Sequence, residues 1–222
     1  MLHCALTFSE NEMKIKYTIG YQTRDAKLVS ILYNESFGQK FRLAIRNHEK
    51  RREVVHHLLN PRFCIAAYSG THLLGVAGFQ NAYGTLVKKA SFRVLYQVLG
   101  FWSGLWAAFI LLFYHRHIQY GELLLDGIAN DPQCRGQGVG RGLLQEVLRY
   151  ARDNNYDRVL VDVPDMTEKA KGLYLKHNFT IEPERGFVVW FKKQFRYLKS
   201  TRLVFDLKNS INSEKIINHF KD

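Results

Sequence analysis

Between Lys14 and Tyr21 the apolar residues Ile15, Tyr17 and Ile19 alternate with polar neighbours, the two-residue period of a half-buried strand. From Asp25 the period lengthens: Leu28, Ile31, Leu32 and Phe37 recur at near-helical spacing, and Asn47–Asn60 reads as a second helix stopped by Pro61. Lys50, Arg51 and Arg52 give that helix a basic face expected to lie in solvent. Two β-rich runs, Phe63–Tyr68 and Leu73–Gln80, flank Ser69-Gly70-Thr71-His72 and predict a hairpin. Glu122–Ala129 predicts a further strand, ended at Asp131-Pro132.

Beyond it helix and strand alternate. Val139, Leu143, Leu144, Val147, Leu148 and Ala151 form one face of a helix ending at Asn154-Asn155, and Arg158–Val163 is a short buried strand. Asp165, with Glu168 three residues on, suggests a capped start for a last helix. Ala170, Leu173, Tyr174 and His177 share a face of it, and Asn178 suits the left-handed residue that ends it. Strands at Phe179–Ile181 and Arg202–Leu207 complete a single α/β unit, an α+β mixed sheet over residues 14–207, followed by a polar tail, 208–222.

One stretch interrupts this pattern. Val94–Tyr114 carries no charged residue and holds Trp102, Trp106, Phe109 and Phe113 within an apolar insertion at 81–120. Its ~20 residues match the length of a membrane span, but one crossing would place the preceding and following strands on opposite sides of a bilayer. Two short helices bent near Gly100–Gly104, a re-entrant hairpin, or one helix lying on the protein or in a membrane interface remain. In one arrangement the insertion is a lid that buries its aromatics against the helix around His56. In the other, Lys88, Lys89, Arg93 and Arg116 anchor it to anionic lipid, giving membrane contact through 94–114. Phe187–Phe191 with Lys192 and Lys193 offers a second aromatic, basic element.

The chain of 222 residues has 32 Lys and Arg against 20 Asp and Glu, a net charge of +12. Such a charge attracts nucleic acid, phosphate-rich ligands or acidic membranes without choosing among them. The basic residues are spread and form no recognisable nucleic-acid motif, which ranks that partner last. Cys4, Cys64 and Cys134 form no Cys-x-x-Cys pair, and the first ten residues lack a secretory pattern, so a cytoplasmic location is expected, peripheral to a membrane if the insertion meets lipid. His115-x-His117 and His56-His57 lack a third ligand, so no metal is expected. Cys134 has no paired histidine and reads as an inert thiol.

Arg135-Gly136-Gln137-Gly138-Val139-Gly140, with Arg141 following, lies between a strand and a helix. Glycines there let backbone amides and the helix N-terminus close on phosphate oxygens. The spacing is not that of a P-loop, and the turn comes too late in the chain for a dinucleotide-binding fold. Arg135-x-x-Gly138-x-Gly140 resembles the coenzyme A signature of the GNAT superfamily of N-acetyltransferases, and Ala170-Lys171-Gly172-Leu173-Tyr174 through Asn178-Phe179 resembles that family's second motif.

The resemblance implies an acyl-CoA N-acyltransferase fold with two splayed central strands, acetyl-CoA as donor, and direct attack by a primary amine. It places backbone groups of Ile128, Ala129 and Asn130 at the acetyl carbonyl and pantetheine, the turn from Arg135 to Arg141 at the pyrophosphate, and Tyr174 as general acid. Thr167 stands where many members have an asparagine that contacts the cofactor, and Asn178 replaces a usual glycine. Asp162 and Asp126 compete as general base, with Asp162 slightly ahead; pairing with an arginine is the bland alternative for both. The resemblance therefore predicts an acetyl-CoA-dependent N-acetyltransferase. A non-catalytic or membrane-peripheral binding module on the same fold is the alternative.

Overall fold

The computed structural model describes residues 14–88, 92–112, 118–164, 168–182 and 200–208. Strands β1 (Ile15–Ile19), β2 (Cys64–Ser69), β3 (His72–Asn81), β4 (Gly84–Thr85), β5 (Glu122–Asn130), β6 (Arg158–Pro164), β7 (Thr180–Glu182) and β8 (Ser200–Asp206) form one sheet. The order is β1-β2-β3-β5-β6-β8-β7, with β4 paired to β3. Among the described residues only β5 and β6 pair in parallel; the other pairs are antiparallel. The helices are α1 (Ala26–Phe41), α2 (His48–Leu58), α3 (Phe92–Leu99), α4 (Phe101–Leu112), α5 (Val139–Asp153) and α6 (Glu168–Lys176).

Alternation along the central strands builds a core on each face. Leu123 and Leu125 of β5 and Val161 of β6 pack with Leu143, Leu144 and Val147, the stripe that the sequence assigns to α5. On the other face Val29 and Leu32 of α1 meet Ala66, Val76 and Ala129. Helix ends follow the sequence as well: Asn155 and Asn178 adopt φ of 55° and 62°, closing α5 and α6 where a left-handed residue is needed.

Two expectations need correction. Arg51 does not share the solvated face of Lys50 and Arg52; it is 7% exposed and donates to Asn34 Oδ1 at 2.8 Å and to the Ile45 carbonyl at 3.0 Å. The helical phase that buries Val54, Val55 and Leu58 carries Arg51 inward with them, and two waiting acceptors satisfy it. The insertion does pack on the domain, but with its aliphatic residues. Leu95, Leu99 and Ala107 join Ala44, Val54 and Leu58, whereas Phe101, Trp102, Trp106 and Phe109 are exposed.

The insertion is two helices. Gly100, at φ +80°, breaks them apart, and a Cβ on Gly104 would lie 3.2 Å from the Leu95 backbone, so the glycine spacing permits the close crossing of α3 and α4. Among the described residues no helix is long and apolar enough to cross a membrane. Asp165, His115, His117 and the 187–193 segment lie outside the described residues.

Cys64 starts β2 fully buried, and desolvation pushes its thiol from 9.0 up to about 12. The unfolded chain releases this proton near pH 9 while the folded chain holds it, so stability falls as pH rises from about 9 to about 12. Buried Tyr68, pushed up to about 12, adds to the fall above pH 10. Melting temperatures measured across pH 8–11 are expected to drop steadily, and Cys64→Ala should flatten the earlier part of that slope.

Candidate active site

β5 is hydrogen-bonded on both edges only in its first half. It pairs with β6 from Glu122 to Leu125, opposite Arg158 to Val161, and the pairing stops there. Its other edge stays joined to β3 as far as Asn130, and β6 stays joined to β8 as far as Pro164. The two central strands therefore part beyond Leu125 and Val161. Along 127–130 the β5 edge facing β6 has no strand partner among the described residues, an edge whose backbone groups a ligand could pair with.

A bulge accompanies the parting. Gly78 faces Gly127 and Phe79 faces Leu125, so Asp126 is the extra residue, and Gly127 has φ of 152°. The added residue shifts the side-chain alternation: Ile128 packs with the α5 core and Ala129 with the α1 core. Such a shift re-aims the end of the strand, the part that the family resemblance assigns to the acetyl carbonyl.

Asn130 ends β5 between two glycines. A Cβ on Gly75 would come 2.6 Å from its Oδ1, and a Cβ on Gly140 would come 2.8 Å from its Nδ2. Asn130 Oδ1 is buried without a hydrogen-bond partner among the described residues. A buried acceptor left unpaired costs about 1–3 kcal/mol, so its presence at the cleft fits a group that gains a donor when ligand enters. Gly75 was not singled out in the sequence, although a glycine inside a strand signals close approach of another group.

The turn after β5 has the geometry that its glycines suggest. Gly136 and Gly138 take φ of 82° and 79°, and nothing lies within 4 Å of where their Cβ atoms would be. Gly138 is the N-cap of α5 and provides no side-chain cap, so amides of the first turn stay open towards a ligand. Arg135, Gln137 and Arg141 are exposed around the turn, and Val139 anchors it in the core at 1% exposure. Cys134 is buried, and desolvation raises its thiol above the usual range, as expected for an inert group.

Tyr174 on α6 is 6% exposed, its ring 5.5 Å from that of Phe179. Burial alone raises its phenol well above the ordinary tyrosine range, so it holds its proton throughout the neutral and mildly alkaline range. Thr167 falls outside the described residues.

Asp126 and Asp162 occupy the first positions beyond the last β5–β6 pair, so the structure brings together the two carboxylates that the sequence set in competition. Their surroundings differ. Arg202, opposite Asp162 on β8, donates from Nε to Asp162 Oδ1 at 2.9 Å and from its terminal nitrogen to Oδ2 at 3.2 Å. This is the two-pronged geometry of the stronger arginine–carboxylate pairs. Asp126 is partly buried and accepts from Thr85 Oγ1 at 3.1 Å. The arginine pairing set as the alternative for both acids is present at Asp162, but cross-strand register and the short β4 leave no sequence signal that Arg202 supplies it or that Thr85 reaches Asp126. Nearby, Arg158 bridges Glu122 and Glu182, so the basic and acidic groups here are largely paired with each other. Among the described residues no cluster of three His, Cys, Asp or Glu side chains could hold a metal.

Sheet, parting strands and glycine turn together give the fold that the two motifs resemble, and comparison with known proteins agrees. Residues 28–179 match the family model described as the Acetyltransferase (GNAT) family. The chain belongs to the GNAT acetyltransferase family. Human N-acetyltransferase 8B is 35% identical over 69 residues, which take in 31% of this chain and 30% of that protein, so the match spans less than a third of that relative's length. Among solved structures, one described as an acetyltransferase aligns with TM-score 0.54 and 11% identity, covering 86% of this chain and 99% of that one. The PaiA N-acetyltransferase from Thermoplasma acidophilum, in complex with coenzyme A, aligns with TM-score 0.52 and 11% identity, covering 87% and 99%. At these identities the likeness establishes the fold alone, a mixed sheet of mostly antiparallel strands.

Proposed function

We propose that the protein transfers an acetyl group from acetyl-CoA to a primary amine. The observation that carries this reading is the parting of β5 and β6 beside an uncapped helix N-terminus, with the backbone of the β5 end on one wall. The residues fit the donor: the orphaned Asn130 Oδ1 lies at the cleft, and the left-handed glycines leave open space where a phosphate would sit. When bound, acetyl-CoA would supply the acyl group as a thioester already activated towards an amine.

Each chain group has a role within this reading. The free edge of β5 at Ile128–Asn130 orients the acyl carbonyl and excludes water from one side. Backbone amides from Gly136 to Arg141 hold the pyrophosphate. Tyr174 keeps a proton on its phenol oxygen for the departing sulfur. Asp126 receives the proton of the acceptor ammonium, directly or through water. We give Asp126 this role ahead of Asp162, the slight favourite on sequence, because both Asp162 oxygens accept from Arg202, whereas Asp126 accepts from the Thr85 hydroxyl at the point where the strands part. Thr85, which contacts Asp126, precedes the apolar α3–α4 hairpin in the sequence, and this favours an amine carried on an apolar body.

The test is a calorimetric titration of the folded protein with acetyl-CoA, with ATP and NAD as controls, followed by a screen of hydrophobic and polar amines. Selective micromolar binding is expected, then acetylation of hydrophobic amines. Failure of well-folded protein to bind acetyl-CoA would overturn the reading, and activity confined to small polar amines would overturn the acceptor class.

A further inference from the structure

The α3–α4 hairpin uses its two faces differently. The inner face, with Leu95, Leu99 and Ala107, is consumed by packing against α2 and the α1–α2 connection. The outer face is left open: Trp102 is 80% exposed, Trp106 55%, Phe109 54% and Phe101 51%. These rings form connected groups rather than scattered surface residues. Phe92 stacks near Tyr96 and meets Phe101 edge-on at 6.3 Å, Phe101 meets Trp102 at 5.2 Å, and Trp106 lies 6.4 Å from Phe109. Exposed, clustered aromatic rings of this kind mark an interaction site.

Three observations select its occupant. The segment that carries the patch has basic but no acidic residues: between Gln80 and Glu122 the sequence has Lys88, Lys89, Arg93 and Arg116 and no Asp or Glu. The Trp106 indole donates to the Leu43 carbonyl at 3.2 Å, which places exposed Arg42 and Arg46 next to the same face. Finally, α4 has Ser103 as its one hydroxyl residue among Phe101–Leu112, so it offers little of the polar rim that a contact with a folded partner uses. A second copy of this chain would bring like charges together on a molecule of net charge +12. Exposed tryptophan and phenylalanine framed by arginine and lysine suit the boundary between lipid headgroups and acyl chains.

We infer that the outer face of the α3–α4 hairpin docks the protein onto an anionic lipid bilayer, with its aromatic rings at the acyl boundary and its basic residues among the headgroups. This surface binding does not rest on the acetyl-transfer reading and can be tested without an enzymatic assay.

The test uses the full chain with vesicles of phosphatidylcholine alone and with roughly 30% phosphatidylglycerol, a content that gives a negative surface. Sedimentation is expected to show at least tenfold stronger partitioning to the anionic vesicles, weakening with salt, with a blue shift of tryptophan emission and quenching by brominated acyl chains. Trp102→Glu should lower partitioning at least tenfold with an unchanged melting curve. If that variant does not fold, Trp102→Ser, which removes the most exposed ring, should reduce the quenching. Absence of binding to anionic vesicles would overturn the inference. So would binding that leaves tryptophan emission unquenched, or equal partitioning by a folded Trp102→Glu. A concentration-dependent dimer abolished by Trp102→Glu, without vesicle binding, would assign the face to a second copy and also overturn it.

Discussion

Gly138→Glu is expected to weaken acetyl-CoA binding at least 100-fold in a calorimetric titration while circular dichroism stays that of the folded protein. Two effects combine at this position. The backbone has φ of 79°, a left-handed conformation that costs a side-chain-bearing residue about 1 kcal/mol. The new carboxylate would also sit at the N-terminus of α5, in the open space proposed for pyrophosphate. Like charges about 4 Å apart repel by about 4 kcal/mol at the effective dielectric of a protein surface, so electrostatics outweighs strain. Gly138→Ala separates the two, because it keeps the strain without the charge and should lose only a few-fold. Unchanged affinity in Gly138→Glu would remove this turn from the binding site.

Tyr174→Phe is expected to lower kcat about 100-fold or more, the scale of a lost proton donor, while acetyl-CoA affinity stays within about twofold. The ring is buried beside Phe179, so phenylalanine preserves the packing and the change isolates the hydroxyl. Desolvation raises the phenol, so the wild-type rate should show no falling limb from Tyr174 below about pH 10, where an unperturbed tyrosine titrates. Equal turnover in the variant would exclude the hydroxyl from the reaction. A parallel loss of affinity would make Tyr174 a binding residue instead.

Much of this architecture is legible in the residues because it rests on local signals. Alternation marks β1, two β-rich runs about a Gly-containing turn mark the β2–β3 hairpin, a 3.6-residue stripe marks α5, and Asn155 and Asn178 mark helix ends. The glycine turn is legible for the same reason, since positive φ at Gly136 and Gly138 demands that residue type. What the sequence hides depends on partners distant along the chain. Arg202 meets Asp162 through antiparallel register across 40 residues, and Arg51 finds Asn34 across 17. The insertion shows a third kind of difficulty. Its composition announces burial, but in so apolar a helix as α4 little periodicity says which face goes in, and the small aliphatic side of the hairpin, not the aromatic one, meets the domain.

The break at Gly100 has a consequence for reach. Eight residues in α3 and twelve in α4 give rods of about 12 and 18 Å at 1.5 Å per residue. Joined end to end, the same residues would extend about 30 Å, the thickness of a bilayer's hydrocarbon layer. One residue in a left-handed conformation folds that length back on itself. It thereby decides whether the most apolar part of the chain forms a traversing rod or a low-lying paddle, and a paddle keeps both halves of the sheet on one side of any boundary it touches.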